Sequence, residues 1–102
     1  MVRKANDLGD FQGILKEAGN RLMVVDFYSK QCSPKFEEAS KNPKYKNVIF
    51  VKVDVDEADK IASACGVKGT ASFQFYKNGK MVDQFSGEKP DVLAKKLDTH
   101  KT

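Results

Sequence analysis

The chain has 102 residues, of which 40% are hydrophobic and 31% charged, and its formal net charge is +4. This length suits one domain over residues 1–102 with one core, and the composition is typical of a soluble globular protein. No apolar run approaches the roughly 20 residues that a membrane-spanning helix needs. The lysines lack the continuous basic face with interleaved aromatic residues that nucleic-acid binding requires. We therefore expect no membrane span and no nucleic-acid partner.

Few side chains can support disulfide or metal chemistry. Cys32 and Cys65 are the two cysteines, and His100 is the one histidine. Two cysteines do not make the disulfide framework of a small secreted domain, and this set cannot complete a four-ligand zinc site. The first seven residues also lack the apolar segment of a signal peptide. We expect a cytoplasmic protein, a monomer, with no metal and no cofactor.

The first half of the chain predicts a helix followed by two strands. Apolar residues recur at helical spacing between positions 8 and 18, with Asn6 or Asp7 as the cap and Gly19 as the stop. Residues 22–28 and 48–53 are nearly continuous apolar runs, which is typical of strands covered on both faces in a parallel sheet. The 19 residues from 29 to 47 suffice for a crossover that contains a short helix.

The second half predicts a helix, a hairpin and a last helix. One helical face is formed by Ala58, Ile61, Ala62 and Cys65. Residues 72–77 and 80–86 are predicted strands joined by Asn78-Gly79, because both turn positions tolerate positive φ. Pro90 suits a first helical position, and Val92, Leu93 and Leu97 give the last helix an apolar side. The element order predicts an α/β fold with a mixed sheet and helices on both faces.

Five segments of the sequence resemble thioredoxins, in particular those of the animal cytosol. They are VVDF at 24–27, NVIFVKVDVD at 47–56, IASACGVK at 61–68, SFQFYKNGK at 72–80 and FSG at 85–87. The resemblance implies a thioredoxin fold with a central mixed sheet of four to five strands. It also implies thiol–disulfide exchange with protein disulfides or thiols, a flavoprotein reductase as electron source, and an active site after the Asp26 strand.

The expected active site departs from that family. Where family members carry Trp-Cys-Gly-Pro-Cys, this chain has Gln31-Cys32-Ser33-Pro34-Lys35. This chain also has about six residues fewer than the family before Phe36. Six residues correspond to about 9 Å of helix and to a large rotation around the helix axis. The helix must start later, unwind, or present Phe36 and Ala39 to the core in a new register.

Cys32 is the candidate nucleophile. A thiolate at the start of a helix attacks a substrate disulfide and forms a mixed disulfide. Helix-start amides and Lys35 favour the thiolate and lower the thiol pKa below its usual value of about 8.5. The release step then needs glutathione or a partner thiol, since Cys65 lies on the apolar side of another helix. The alternatives are that Cys32 is an ordinary thiol in a degenerate loop, and that Cys65 is a small buried hydrophobe or forms a disulfide-linked dimer on oxidation.

Two further departures bear on activity. The thioredoxin aspartate that matches Asp26 assists proton transfer from the second cysteine, so Asp26 either handles protons or is an inherited buried carboxyl, whose pKa burial would raise. The segment Gly69-Thr70-Ala71 stands where thioredoxins place a substrate-binding cis-proline. A cis bond without proline costs about 2.5–4 kcal/mol, so we expect Thr70–Ala71 to be trans and substrate to be held less well. The alternatives are a tolerated loop substitution, or an iron–sulfur cluster held by one thiol with glutathione.

Two functions follow from these observations. The first is monothiol exchange through Cys32, with an external thiol for turnover. The second is a redox-inactive binding module that holds a partner in the old substrate groove or at the basic residues Lys41, Lys44 and Lys46. The reactivity of Cys32 separates them.

Overall fold

The computed structural model describes residues 2–31, 33–67, 71–87 and 89–101. Its strands are β1 (Val2–Lys4), β2 (Met23–Tyr28), β3 (Ile49–Asp54), β4 (Ser72–Lys77) and β5 (Lys80–Ser86). Its α-helices are α1 (Leu8–Ala18), α2 (Pro34–Ser40), α3 (Asp59–Ala64) and α4 (Pro90–His100), and a 3-10 turn covers Pro43–Tyr45. None of the described helices is long and apolar enough to cross a bilayer.

The strands form one mixed sheet in the order β1-β3-β2-β4-β5. Strands β1 and β2 both run parallel to β3, whereas β4 runs antiparallel to β2 and to β5. The hairpin turn at Asn78-Gly79 has φ values of 53° and 78°, as the dipeptide predicted. The predicted α/β architecture with a mixed sheet is therefore confirmed.

Strand β1 is the element that the sequence pattern missed. The prediction began with a helix, but Val2–Lys4 pairs in parallel with residues 50–52 of β3. Three residues with one apolar side chain carry no periodicity, so only the pairing with β3 makes this segment a strand. Helix α3 is also shorter than predicted, since Ala58 and Cys65 are its caps rather than members of its face.

The helices cover the two faces of the sheet in two layers. On one face α1 and α3 pack on a mainly aliphatic cluster that includes Val25, Val51 and Ile61. On the other face α2 and α4 pack on an aromatic cluster, which contains Phe36, Tyr45, Phe50, Phe73, Phe75, Leu93 and Leu97. The two layers are named here the α1/α3 layer and the α2/α4 layer.

Helix α2 has only seven residues, and it begins within the predicted site, at Pro34. Phe36 is fully buried, and its ring lies 5.3 Å from that of Phe50 and 5.9 Å from that of Phe73. Ala39, three residues later, packs against the same cluster. The helix therefore neither starts late nor lacks an inward face; it ends early, at Ser40, and the 3-10 turn follows.

Candidate functional site

The predicted site lies at the carboxyl end of β2, where parallel strands of an open sheet usually present functional loops. The chain leaves β2 through a tight turn in which the Gln31 amide donates to the Ser29 carbonyl at 2.8 Å. Lys30 at the centre of this turn has φ +71°, the geometry of a strained γ-turn. Sequence reasoning missed Lys30, because no glycine or asparagine marks the position.

The first turn of α2 is capped by a residue of the predicted site. Ser33 is the N-cap, and its Oγ accepts a hydrogen bond from the Phe36 amide at 3.4 Å. Pro34 occupies the first helical position, where its missing N–H costs nothing. Ser33 is also 97% buried, so the residue after Cys32 is held by both backbone and side chain.

Asp26 is connected to the start of α2. Its side chain is fully buried on β2, and its Oδ2 accepts the backbone N–H of Ser33 at 3.1 Å. A buried carboxyl group requires such a partner, because burial without one costs several kcal/mol. The sequence prediction placed Asp26 at the site, and the structure brings it to the residue next to Cys32.

The other predicted residues differ in how they are placed. Cys32, Gly69 and Thr70 lie outside the described residues, so their roles and the isomer of the Thr70–Ala71 bond stay predictions. Gln31 is exposed. Lys35 is also exposed, and its Nζ lies 3.5 Å from Glu38 of the next turn. An exposed pair of this kind contributes less than about 1 kcal/mol to stability.

Ala71 has a backbone conformation that bears on the predicted loss of the cis-proline. Its φ is +57°, in the left-handed region, and its carbonyl accepts the Gly87 amide at 2.6 Å. A proline ring fixes φ near −65°, so proline cannot adopt the conformation that Ala71 has here.

Cys65 occupies a very different environment in the α1/α3 layer. It is half-buried at the end of α3, and burial raises the pKa of its thiol. The buried amide of Gln74 donates to the Cys65 carbonyl at 2.9 Å and accepts the Tyr76 hydroxyl at 2.6 Å. Burial and the nearby thiol also raise the pKa of Tyr76. Cys65 is thus protonated at neutral pH, in a hydrogen-bonded apolar setting.

Acidic residues flank the site at the carboxyl end of β3. The Ser29 hydroxyl donates to Asp56 at 2.6 Å, and Asp54 accepts the backbone amides of Asp56 and Glu57. The Asp56 amide is the main reason why the pKa of Asp54 lies below its usual value. Within the described ranges, no group of three or more His, Cys, Asp or Glu side chains is placed to hold a metal ion.

Comparison with known proteins agrees with this geometry. A family model described as Thioredoxin matches residues 2–99. The chain belongs to the thioredoxin family. It is 43% identical to the thioredoxin of the catfish Ictalurus punctatus, over 99% of this chain and 100% of that protein.

Solved structures of family members superpose closely on this thioredoxin-family chain. The thioredoxin of Fasciola hepatica matches with a TM-score of 0.91 and 34% identity, over 97% of this chain and 99% of that one. A chain from the complex of ferredoxin:thioredoxin reductase with thioredoxin f2 matches with a TM-score of 0.87 and 27% identity, over 99% and 96%. The predicted thioredoxin fold is confirmed.

Proposed function

We propose that this protein carries out thiol–disulfide exchange through one thiol, that of Cys32. The observation that carries the proposal is the hydrogen bond from the Ser33 amide to buried Asp26, which fixes the residue next to Cys32 at the start of α2. A capped helix start and the nearby Lys35 ammonium favour a thiolate over a thiol. Membership of the thioredoxin family supports the same chemistry.

The proposed reaction proceeds in three exchanges. The Cys32 thiolate attacks one sulfur of a protein disulfide; a mixed disulfide forms, and the other substrate sulfur leaves as a thiolate that takes a proton. A glutathione thiolate then attacks the Cys32 sulfur, which releases the second substrate thiol. A second glutathione attacks the Cys32–glutathione disulfide, which regenerates the Cys32 thiolate and yields oxidised glutathione. Two electrons pass from two glutathiones to one substrate disulfide.

An external thiol is required because Cys65 is poorly suited to the resolving step. Cys65 packs in the α1/α3 layer, whereas the start of α2 packs in the α2/α4 layer on the opposite face of the sheet. Its raised pKa also leaves little thiolate at neutral pH. We propose that Cys65 forms at most a slow disulfide-linked dimer under oxidation, and that the reduced protein is a monomer.

The partners of this chemistry follow from its requirements. We propose protein disulfides as substrates, glutathione as the first electron source and a thioredoxin reductase as the second. The solved complex of thioredoxin f2 with a reductase concerns that relative, and it motivates the test of a reductase here. A reduced glutathione pool of this kind belongs to the cytoplasm, which is the compartment that we propose.

The test is reduction of insulin disulfides with glutathione as the electron source. Wild type and Cys65→Ser should be equally active, whereas Cys32→Ser should fall to the uncatalysed rate. Activity that survives in Cys32→Ser, or that disappears in Cys65→Ser, contradicts the proposal. Replacing glutathione with a thioredoxin reductase and its reductant shows whether that enzyme also supports turnover.

A redox-inactive binding module is the second candidate function. It is favoured by Ala71, the residue before β4, whose φ of +57° is one that proline cannot adopt. In that case the folded, reduced wild type shows no insulin reduction with either electron source, and Cys32 reacts like an ordinary thiol.

A further inference from the structure

A groove lies between α2 and α4, on the outer side of the α2/α4 layer. Its volume is about 230 Å³. Leu93 and Leu97 of α4 form its buried floor. The rest of its lining comes from Lys35, Glu38, Ala39, Asn42, Lys44, Tyr45, Pro90 and Ala94. The groove thus has an apolar base and a charged rim.

The early end of α2 leaves this groove open. Helix α2 stops at Ser40, and the chain turns at Asn42 into the 3-10 segment Pro43–Tyr45. Tyr45 lines the groove, and its hydroxyl donates to Asp98 of α4 at 2.7 Å. Lys35, in the first turn of α2, lines it as well. The groove is therefore built from both helices and the 3-10 turn between them.

The two chain segments that form the groove carry the net charge of the protein. Segment 34–46 contains four lysines and two glutamates, and segment 89–101 contains four lysines and two aspartates. The remaining residues contain ten basic and ten acidic side chains, so the formal charge of +4 arises from these two segments. Lys41, Lys46, Lys89 and Lys95 have no ion-pair partner within the described ranges.

The size and charge of the groove restrict its occupant. Its volume is below the range of about 300–1,000 Å³ that small-molecule sites occupy, but it accommodates one or two aliphatic side chains. A second copy of this face is disfavoured, because like charges opposed across an interface repel. A helix that lays aliphatic side chains into such a groove and carries acidic residues beside them satisfies both the apolar floor and the lysines.

We propose that the groove between α2 and α4 is a docking site for an acidic amphipathic helix of a partner protein. One or two leucine-like side chains of that helix pack against Ala39, Pro90 and Ala94 above the buried Leu93 and Leu97, and its carboxylates attract the lysines of segments 34–46 and 89–101. This binding needs no thiol chemistry, since apolar packing and charge attraction alone hold the helix. A failure of the insulin assay therefore leaves this proposal intact, and the reverse also holds.

The experiment measures binding of a fluorescein-labelled helical peptide with two leucines four positions apart and glutamates over the rest of its surface. A second peptide with the same leucines and lysines in place of the glutamates is the charge control. Ala94→Glu fills the groove, and Ala64→Glu on α3 is the matched control, because it makes the same exchange at an exposed helical residue elsewhere. Fluorescence anisotropy under reducing conditions gives the affinity, and circular dichroism confirms that each variant is folded.

We expect the acidic peptide to bind wild type and Ala64→Glu with the same affinity. Its affinity for Ala94→Glu should be lower by at least about tenfold, which is a change of about 1.4 kcal/mol in the binding free energy. Binding should weaken as salt is added, and amide chemical shifts of wild type should move along α2 and α4. The proposal is wrong if the acidic peptide does not bind, if both peptides bind equally, or if the shifts lie elsewhere. It is also wrong if wild type, but not Ala94→Glu, dimerises in sedimentation, because a second copy then covers the groove.

Discussion

The two helical layers differ in how they hold Cys65 and the residue that follows Cys32 in the sequence. In the α2/α4 layer that residue, Ser33, is the N-cap of α2, and its amide is held by the buried carboxyl of Asp26. In the α1/α3 layer, Cys65 ends α3, half-buried beside Tyr76 and Gln74. One cysteine stands before a helix start and the other at a helix end.

The difference teaches that position in a fold decides whether a thiol is chemically useful. The start of a helix stabilises an anion, whereas its end and an apolar setting disfavour one. Polar contacts in the α2/α4 layer hold the start of α2, and those in the α1/α3 layer hold Cys65 in place. The predictions that follow test this division between the layers.

The largest expected effect comes from removing the side chain that anchors α2. Phe36→Ala should lower the free energy of unfolding by about 3–5 kcal/mol, because it leaves a cavity between Phe50 and Phe73. It should also move the alkylation midpoint of Cys32 toward that of a free thiol, since α2 loses its anchor. Urea unfolding and alkylation against pH measure the two effects.

Phe11→Ala in the α1/α3 layer is the matched control, because Phe11 is similarly buried and packs on Tyr76. Phe11→Ala should lower the free energy of unfolding by a similar amount but leave the alkylation midpoint of Cys32 unchanged. Equal shifts of the Cys32 midpoint in both variants would contradict the division between the layers.

Tyr76→Phe tests the polar contacts around Cys65. The change leaves the buried Gln74 oxygen without the hydroxyl that it accepts at 2.6 Å, so it should lower stability by about 1–3 kcal/mol. It should also slow alkylation of Cys65, because the Tyr76 hydrogen bond lowers the pKa of that thiol. Alkylation of Cys32 should stay the same, and a change there would show that the two sites are coupled.

Acid stability should depend on Asp83 of β5, which pairs with two side chains of α4. The Nζ of Lys96 lies 2.8 and 2.9 Å from the two carboxylate oxygens of Asp83, and Nε2 of His100 lies 3.0 Å from one of them. The Lys96 hydrogen bond is the main reason why the pKa of Asp83 is lowered to about 2. A lowered pKa stabilises the fold above the usual value of 3.8, and this contribution is lost as the pH falls from about 4 to about 2.

As the pH falls over that interval, the free energy of unfolding of wild type should therefore decrease by about 1–2 kcal/mol more than that of Asp83→Asn. Asp91→Asn, at an exposed carboxylate in the first turn of α4, is the control and should behave like wild type. Urea unfolding at several pH values provides the comparison, and parallel curves for wild type and Asp83→Asn would refute the role of this ion pair.

The smallest effect is expected for two helix caps. Ser33→Ala and Asp7→Ala each remove a side-chain acceptor at a helix start and should cost about 0.5–1 kcal/mol. Only Ser33→Ala should also raise the alkylation midpoint of Cys32, because Asp7 caps α1 in the other layer. A raised midpoint in the Asp7 variant would point to a global effect on the fold instead.

Local residue chemistry predicted most of the helices and strands, whereas the resemblance to thioredoxins implied how they assemble into the fold. Asn78-Gly79 predicted the hairpin because both residues adopt positive φ, and Asp7, Gly19 and Pro90 marked helix ends through caps and fixed dihedrals. Asp26 stood out as a charge in an apolar strand, and the resemblance to thioredoxins implied its place at the site. The sequence pattern did not show which distant segments pair with each other. Val2–Lys4 forms strand β1 only because β3 lies beside it.

The parts of the site that escaped prediction depend on backbone shape. Lys30 and Ala71 adopt positive φ without the glycine that usually marks such positions, because surrounding contacts impose that conformation. The groove between α2 and α4 also had no sequence marker. It depends on where α2 ends and on how the following 3-10 turn places Tyr45 against Asp98.

The most direct test of the central claim is the pH dependence of iodoacetamide alkylation in the two single-cysteine variants, Cys65→Ser and Cys32→Ser. We expect the thiol of Cys32 to react with a midpoint clearly below about 8.5, and the thiol of Cys65 to react with a midpoint above it. A Cys32 midpoint at or above that of a free thiol would contradict monothiol exchange and leave the binding module as the function of this fold.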